Sequence, residues 1–197
     1  MLALTDYHIG AQIYAGPHSL IYRGRRLVDD QPVILKTLST PYPTTGELNR
    51  FQLEYDIARD LKLTGIAKPY SLEKHGHSLV MVMEDIGGQS LNQLWPDKEF
   101  SLTDFLTVAI QITDVLGQIH QHHVVHKDIN PSNIIAVPPL HEGEKWRTQI
   151  VDFSTASRLS REPVSHLEGT LAYISPEQTG RMNRSVDYRT DYYSLGV

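Results

Sequence analysis

The sequence predicts an α+β chain in two lobes, a small antiparallel β-sheet lobe with one helix followed by a mainly helical lobe. Three observations predict it. Short strand-like runs crowd the first third of the chain, separated by the turn residues Gly16-Pro17 and Asp29-Asp30-Gln31-Pro32. One capped amphipathic pattern interrupts them. Then a continuous apolar run, Ser78-Leu79-Val80-Met81-Val82-Met83, breaks abruptly at Glu84-Asp85-Ile86-Gly87-Gly88, and helical periodicity takes over. A buried strand that runs into a glycine pair is a natural joint, and it divides residues 1–86 from 87–197.

Taken in order, residues 7–9, 19–23 and 33–38 read as strands. Thr44-Thr45-Gly46-Glu47 has capping-box spacing, and Leu48, Phe51, Tyr55, Ala58 and Leu61 then recur on one helical face until Gly65 ends the pattern. Ser101-Leu102-Thr103-Asp104 opens a second helix, whose stripe is Phe105, Val108, Ala109, Ile112, Val115, Leu116 and Ile119. That helix is expected to support the loop after it and to carry no chemistry. Residues 134–137 and 148–151 read as two short strands joined by a loop.

Composition narrows the function classes. The chain has 197 residues, 40% hydrophobic and 21% charged, the balance of an ordinary globular protein. A net charge of −5 argues against non-specific nucleic-acid binding. The absence of cysteine excludes disulfides and thiolate metal sites, and the ten histidines show no metal-binding spacing. No apolar run reaches membrane-spanning length, and the N-terminus lacks the pattern of a signal peptide, so an intracellular, cytoplasmic protein is expected.

The chemistry concentrates in His126-Lys127-Asp128-Ile129-Asn130-Pro131-Ser132-Asn133. An Asp and an Asn five residues apart on a tight loop can converge on one small volume. With Asp152 in Val151-Asp152-Phe153-Ser154 they supply oxygen ligands around a proton acceptor, the set that phosphoryl transfer to a hydroxyl requires. Upstream, Lys36 ends the apolar Val33-Ile34-Leu35, where an ammonium needs an anion unless it points to the wet face of an edge strand.

These stretches, in this order, resemble the protein kinase domain: the loop its catalytic H-R-D-x-x-x-x-N, residues 152–154 its D-F-G, and Lys36 the lysine of V-A-I-K. Gly169-Thr170-Leu171-Ala172-Tyr173-Ile174-Ser175-Pro176-Glu177 resembles the end of a serine/threonine kinase activation segment, and Asp191-Tyr192-Tyr193-Ser194-Leu195-Gly196 the start of the helix at the heart of the larger lobe. The resemblance implies a bilobal kinase-like fold and ATP- and Mg²⁺-dependent phosphorylation of Ser/Thr in protein substrates. It makes Asp128 the catalytic base and pairs Lys36 with Glu54. Asn133 and Asp152 become the Mg²⁺ ligands, and Thr170 a neighbour of Asp128. Nucleotide contacts fall to Ile13, Gly16, Ile21, Lys36, Met83, Glu84, Ile86 and Ile135, and Phe153 packs beneath the helix of Glu54. Ser157, Ser160 and Ser165 are candidate phosphosites.

Some positions depart from the pattern. Of the three glycines expected in the nucleotide-covering loop only Gly16 remains, Tyr14 and Ser19 holding the others, and Gly10 supports an alternative register. Lys127 stands for arginine and loses its planar fork. Asn130 stands for a lysine that donates to the transferring phosphoryl group, a loss worth roughly 10²–10³ in kcat. Ser154 stands for glycine. A nucleotide- or partner-binding pseudokinase is therefore the alternative, and a small-molecule phosphotransferase of related fold a third. Ser175 to Arg184 resembles kinase domains of large bacterial signalling proteins, which continue into NTPase-like and sensor modules. By that resemblance the larger lobe is cut off in its central helix, exposing apolar surface near Tyr173, Ile174 and Leu195.

Overall fold

A computed structural model describes residues 4–96, 100–141, 143–159, 169–180 and 184–197. The chain forms two compact units, Met1–Lys62 with Ala67–Gly87, and Leu63–Ile66 with Gly88–Val197. In sequence the first gives way to the second between the two glycines of the predicted joint, while the short segment Leu63–Ile66 already belongs to the second.

In the first unit, β1 (Tyr7–Ala15), β2 (Ser19–Arg26), β3 (Pro32–Leu38), β4 (Pro69–His75) and β5 (Ser78–Glu84) form one antiparallel sheet in the order β1-β2-β3-β5-β4. Between β3 and β4 runs α1 (Thr45–Leu61). Side chains alternate across a strand, so the two faces separate cleanly. Val33, Leu35, Val80 and Val82 are fully buried on one face, with Tyr7, Ile9, Tyr22 and Tyr70 packed against them. The pairing Ile21↔Lys36↔Met81 and its neighbour Ile34↔Met83 put Ile21, Lys36 and Met83 together on the other face. α1 starts as predicted: Thr44 accepts from the Glu47 amide, and the Glu47 carboxylate accepts from the Thr44 amide. It stops sooner than predicted, because Lys62 turns left-handed at φ 47° and caps the helix before Gly65 is reached.

The second unit contains β6 (Gln89–Ser90), α2 (Leu91–Leu94), α3 (Leu102–Gln121), β7 (Val124–Val125), β8 (Ile134–Val137), β9 (Arg147–Ile150), β10 (Ser157–Arg158) and α4 (Arg189–Gly196). Its strands form a three-stranded sheet, β6-β8-β9, and the pair β7-β10. α3 buries Val108, Ile112, Val115, Leu116 and Ile119. The Asp104 carboxylate at its first turn accepts from the Trp146 indole N–H at 2.7 Å, with Phe100 stacked between Trp95 and Trp146. One expectation is corrected. Phe105 lies outside the buried stripe, because that face of α3 carries no packing partner among the described residues that covers it. Tyr173, Ile174 and Leu195 are half-buried, and the exposed apolar side chains nearby are Leu171, Tyr192 and Tyr193.

Candidate active site

In the first unit Lys36 Nζ lies 2.6 Å from Glu54 Oε1, and both side chains are nearly inaccessible to solvent. Strand alternation turns Lys36 away from the apolar core face, and the position of Glu54 on α1 brings the carboxylate to it. The wet-face alternative for Lys36 is thereby excluded. An ammonium is retained in such a place only with a paired anion.

Gly16 lies in the turn between β1 and β2. Its amide donates to the Ser19 carbonyl at 2.9 Å and closes the β1–β2 turn. A Cβ at Gly16 would overlap the hydroxyl and ring of Tyr14, so any side chain there would push the half-exposed Tyr14 ring aside. Ile13 is exposed beside a register shift in β1, and Ile21 is half-buried. Met83 and Glu84 end β5, with the Glu84 amide donating to the Lys68 carbonyl, and Ile86 follows two residues later, half-buried.

In the second unit the loop between β7 and β8 gathers polar side chains around Asp128. Its Oδ1 accepts from the Thr170 amide at 2.7 Å and from Asn130 Nδ2 at 3.1 Å; its Oδ2 accepts from Asn133 Nδ2 at 3.0 Å. Asn133 Nδ2 also donates to the Asp128 carbonyl, so the side-chain oxygen, Asn133 Oδ1, is the end left to meet a cation. Asn130 is more than a missing lysine. It is buried, its Nδ2 also reaches Thr170 Oγ1 at 3.1 Å, and its Oδ1 accepts from the Ser132 amide and starts the short 3₁₀ turn that carries Asn133.

His126 ties this loop to Asp152. Its ring meets the Val151 carbonyl at 3.1 Å, the Asp128 amide donates to its other ring nitrogen at 3.4 Å, and Phe153 packs edge-on against it at 4.9 Å. The Val151 amide in turn donates to the Asn133 carbonyl. Asp152 is left-handed at φ 65°, a conformation Asp tolerates, and its own carboxylate accepts from the Ser154 amide at 3.3 Å. Behind the loop lies Asp191, fully buried at the start of α4. It accepts from the His126 amide (2.9 Å), the Lys127 amide (2.7 Å) and His120 Nε2 (2.8 Å). Ile135 is half-buried in β8, opposite Gln149.

The second unit thus holds the Asp128 carboxylate by donors from three residues, and the first unit holds a buried pair between Lys36 of β3 and Glu54 of α1. The protein kinase domain family matches residues 7–197. The chain belongs to that family. Among curated relatives of this kinase domain, the serine/threonine-protein kinase PknL of Mycobacterium tuberculosis is 31% identical over 99% of the chain and 49% of its own length. The serine/threonine-protein kinase PrkC of Bacillus subtilis is 28% identical over 97% of the chain and 29% of its own length. Serine/threonine-protein kinase 36 of Pongo abelii is 27% identical over 98% and 14% respectively. The kinase domain thus spans about half the length of the first relatives it matches.

Sequence reasoning missed His120, the ordering role of Asp191, and the bonds of Asn130. The partners lie 71, 64 and 40 residues away, and only the final helix motif hinted at Asp191. Ser157 sits in β10 paired with Val125; Ser160 and Ser165 lie outside the described residues. No described helix is long and apolar enough to cross a membrane.

Proposed function

We propose that the chain transfers the γ-phosphate of ATP to Ser or Thr hydroxyls of protein substrates. One observation carries this: the Asp128 carboxylate is held by three donors from three different residues, two on Oδ1 and one on Oδ2. Oδ2 keeps a lone pair for the substrate hydroxyl. The hydroxyl oxygen forms a bond to the γ-phosphorus, the bond to the β–γ bridging oxygen breaks, ADP leaves, and the hydroxyl proton passes to Asp128 Oδ2.

Lys36, held by Glu54, contributes positive charge for the nucleotide phosphates. Ile21 and Met83 share its face of the sheet and offer apolar contact to the base, with Ile13, Glu84, Ile86 and Ile135 as further nucleotide contacts. Gly16 contributes by shaping the turn beneath Tyr14. No cluster of three or more His, Cys, Asp or Glu side chains forms a cation site among the described residues. Magnesium is characteristically held by one or two protein oxygens together with substrate phosphates. Asp152 and the side-chain oxygen Asn133 Oδ1 have the right chemistry for it. When bound, the ion neutralises charge developing on the phosphates. Serine/threonine specificity is supported by Thr170 against Asp128 and by the names of the relatives.

Asp128→Ala is expected to lower transfer from ATP to a Ser/Thr peptide by about 10²–10⁴-fold, with nucleotide-dependent thermal stabilisation retained. Unchanged turnover would remove Asp128 from the reaction. Stabilisation by nucleotide in a wild-type protein that transfers nothing would establish the pseudokinase instead.

A further inference from the structure

Lys127 holds its backbone at φ 68°, in the left-handed region that side chains rarely adopt, one residue before Asp128. Such a conformation persists only where the surroundings over-determine it. Both of its backbone groups are clamped by buried side chains. The amide donates to Asp191 Oδ1 at 2.7 Å, and the carbonyl accepts from Gln178 Nε2 at 2.8 Å.

Gln178 follows the Pro176-Glu177 pair and is 3% exposed. Its orientation is fixed by chemistry. Oε1 faces the Ser175 amide at 3.1 Å, an obligatory donor, so Nε2 is the end that meets Lys127. Ser175 Oγ also donates to Oε1 at 3.1 Å and lies 3.3 Å from Thr190 Oγ1, which donates to Glu177 at 2.9 Å. The activation-segment end and α4 thus form one buried polar frame that reaches the catalytic loop twice, through Asp191 of α4 on the Lys127 amide and through Gln178 on its carbonyl. The carbonyl it grips belongs to the peptide plane between Lys127 and Asp128. A Cβ at Gly169 would stand 3.0 Å from the same oxygen, so the segment leading to Thr170 packs on it as well.

We propose that Gln178 is a positioning residue for phosphoryl transfer: by holding the Lys127 carbonyl it sets the peptide plane from which the Asp128 carboxylate is aimed. The proposal rests on the kinase reading above. It also gives the segment around Gln178 an uncharged attachment to the loop that carries Asp128.

Gln178→Glu and Gln178→Met, made in the full chain, test it. Both keep the side chain's length and remove the donor at neutral pH. Each is expected to lower kcat for a Ser/Thr peptide about tenfold or more, with KM for ATP within about twofold. Measured as a ratio to wild type at each pH, so that titration of the Asp128 base is common to both, the deficit of the glutamate variant shrinks as pH falls through its own carboxyl titration, because the protonated acid donates to the Lys127 carbonyl again; the deficit of the methionine variant does not shrink. Amide hydrogen exchange at Lys127 and Asp128 rises at least fivefold in both, while α3 and the first-unit sheet keep wild-type protection. Unchanged local exchange overturns the proposal, and so does unchanged kcat in a wild type that turns over. Raised exchange in a protein whose wild type transfers no phosphate leaves the clamp standing and removes the kinase reading.

Discussion

Burial strips both Lys36 and Glu54 of hydration, and their 2.6 Å contact compensates only while both are present. Lys36→Met leaves Glu54 as a buried charge and is expected to destabilise the chain by about 3–5 kcal/mol in urea unfolding. The double variant Lys36→Met/Glu54→Leu, which replaces the pair by apolar groups, is expected to recover most of that loss. Nucleotide-dependent stabilisation should stay lost in both. A double variant no more stable than Lys36→Met would show that the cost comes from packing around Lys36 and not from the orphaned carboxylate. The cycle thus separates what the pair does for stability from what the ammonium does for phosphate.

Helix α1 is the element that delivers Glu54, and its first turn is fastened by reciprocal bonds between Thr44 and Glu47. Thr44→Ala removes the side-chain half and is expected to cost about 1 kcal/mol in thermal unfolding. The other half titrates. The Thr44 amide, and then its hydroxyl, hold the Glu47 carboxyl below its ordinary value. A depressed carboxyl stabilises the fold above its unfolded value and gives that stability up as pH falls through the folded one. The Tm difference between wild type and Glu47→Gln should therefore be present at pH 7 and shrink as pH drops below about 4. A gap that does not change with pH would mean that the carboxylate charge contributes nothing to the cap.

Across the whole molecule, what the sequence announced was local or periodic: the caps of α1 and α3, the apolar strand that ends in Lys36, the loop that carries Asp128 and Asn133. What stayed hidden was polar pairing over long separations. Gln178 finds Lys127 across 51 residues and His120 finds Asp191 across 71, and no periodicity marks either partner. Apolar patterning misled at one position of α3: Val108, Ile112, Val115, Leu116 and Ile119 are buried as expected, but Phe105 is 46% exposed, and the helix carries a second apolar stripe that stays outside. Leu116 and Ile119 are fully buried, while Leu102, Leu106 and Ile110, spaced four apart, are 72%, 47% and 60% exposed. The two stripes should answer mutation oppositely. Leu116→Ala is expected to cost about 2–5 kcal/mol, from lost burial and the cavity left behind. Leu102→Gln, Leu106→Gln and Ile110→Gln should each stay within about 0.5 kcal/mol, since glutamine is as good a helix former and little buried area is lost. Made together they remove a contiguous apolar patch, so the concentration at which light scattering rises should increase while the melt stays cooperative. Loss of cooperative melting in that triple variant would show that the stripe is packed after all and that the core of the second unit extends to the outer face of α3.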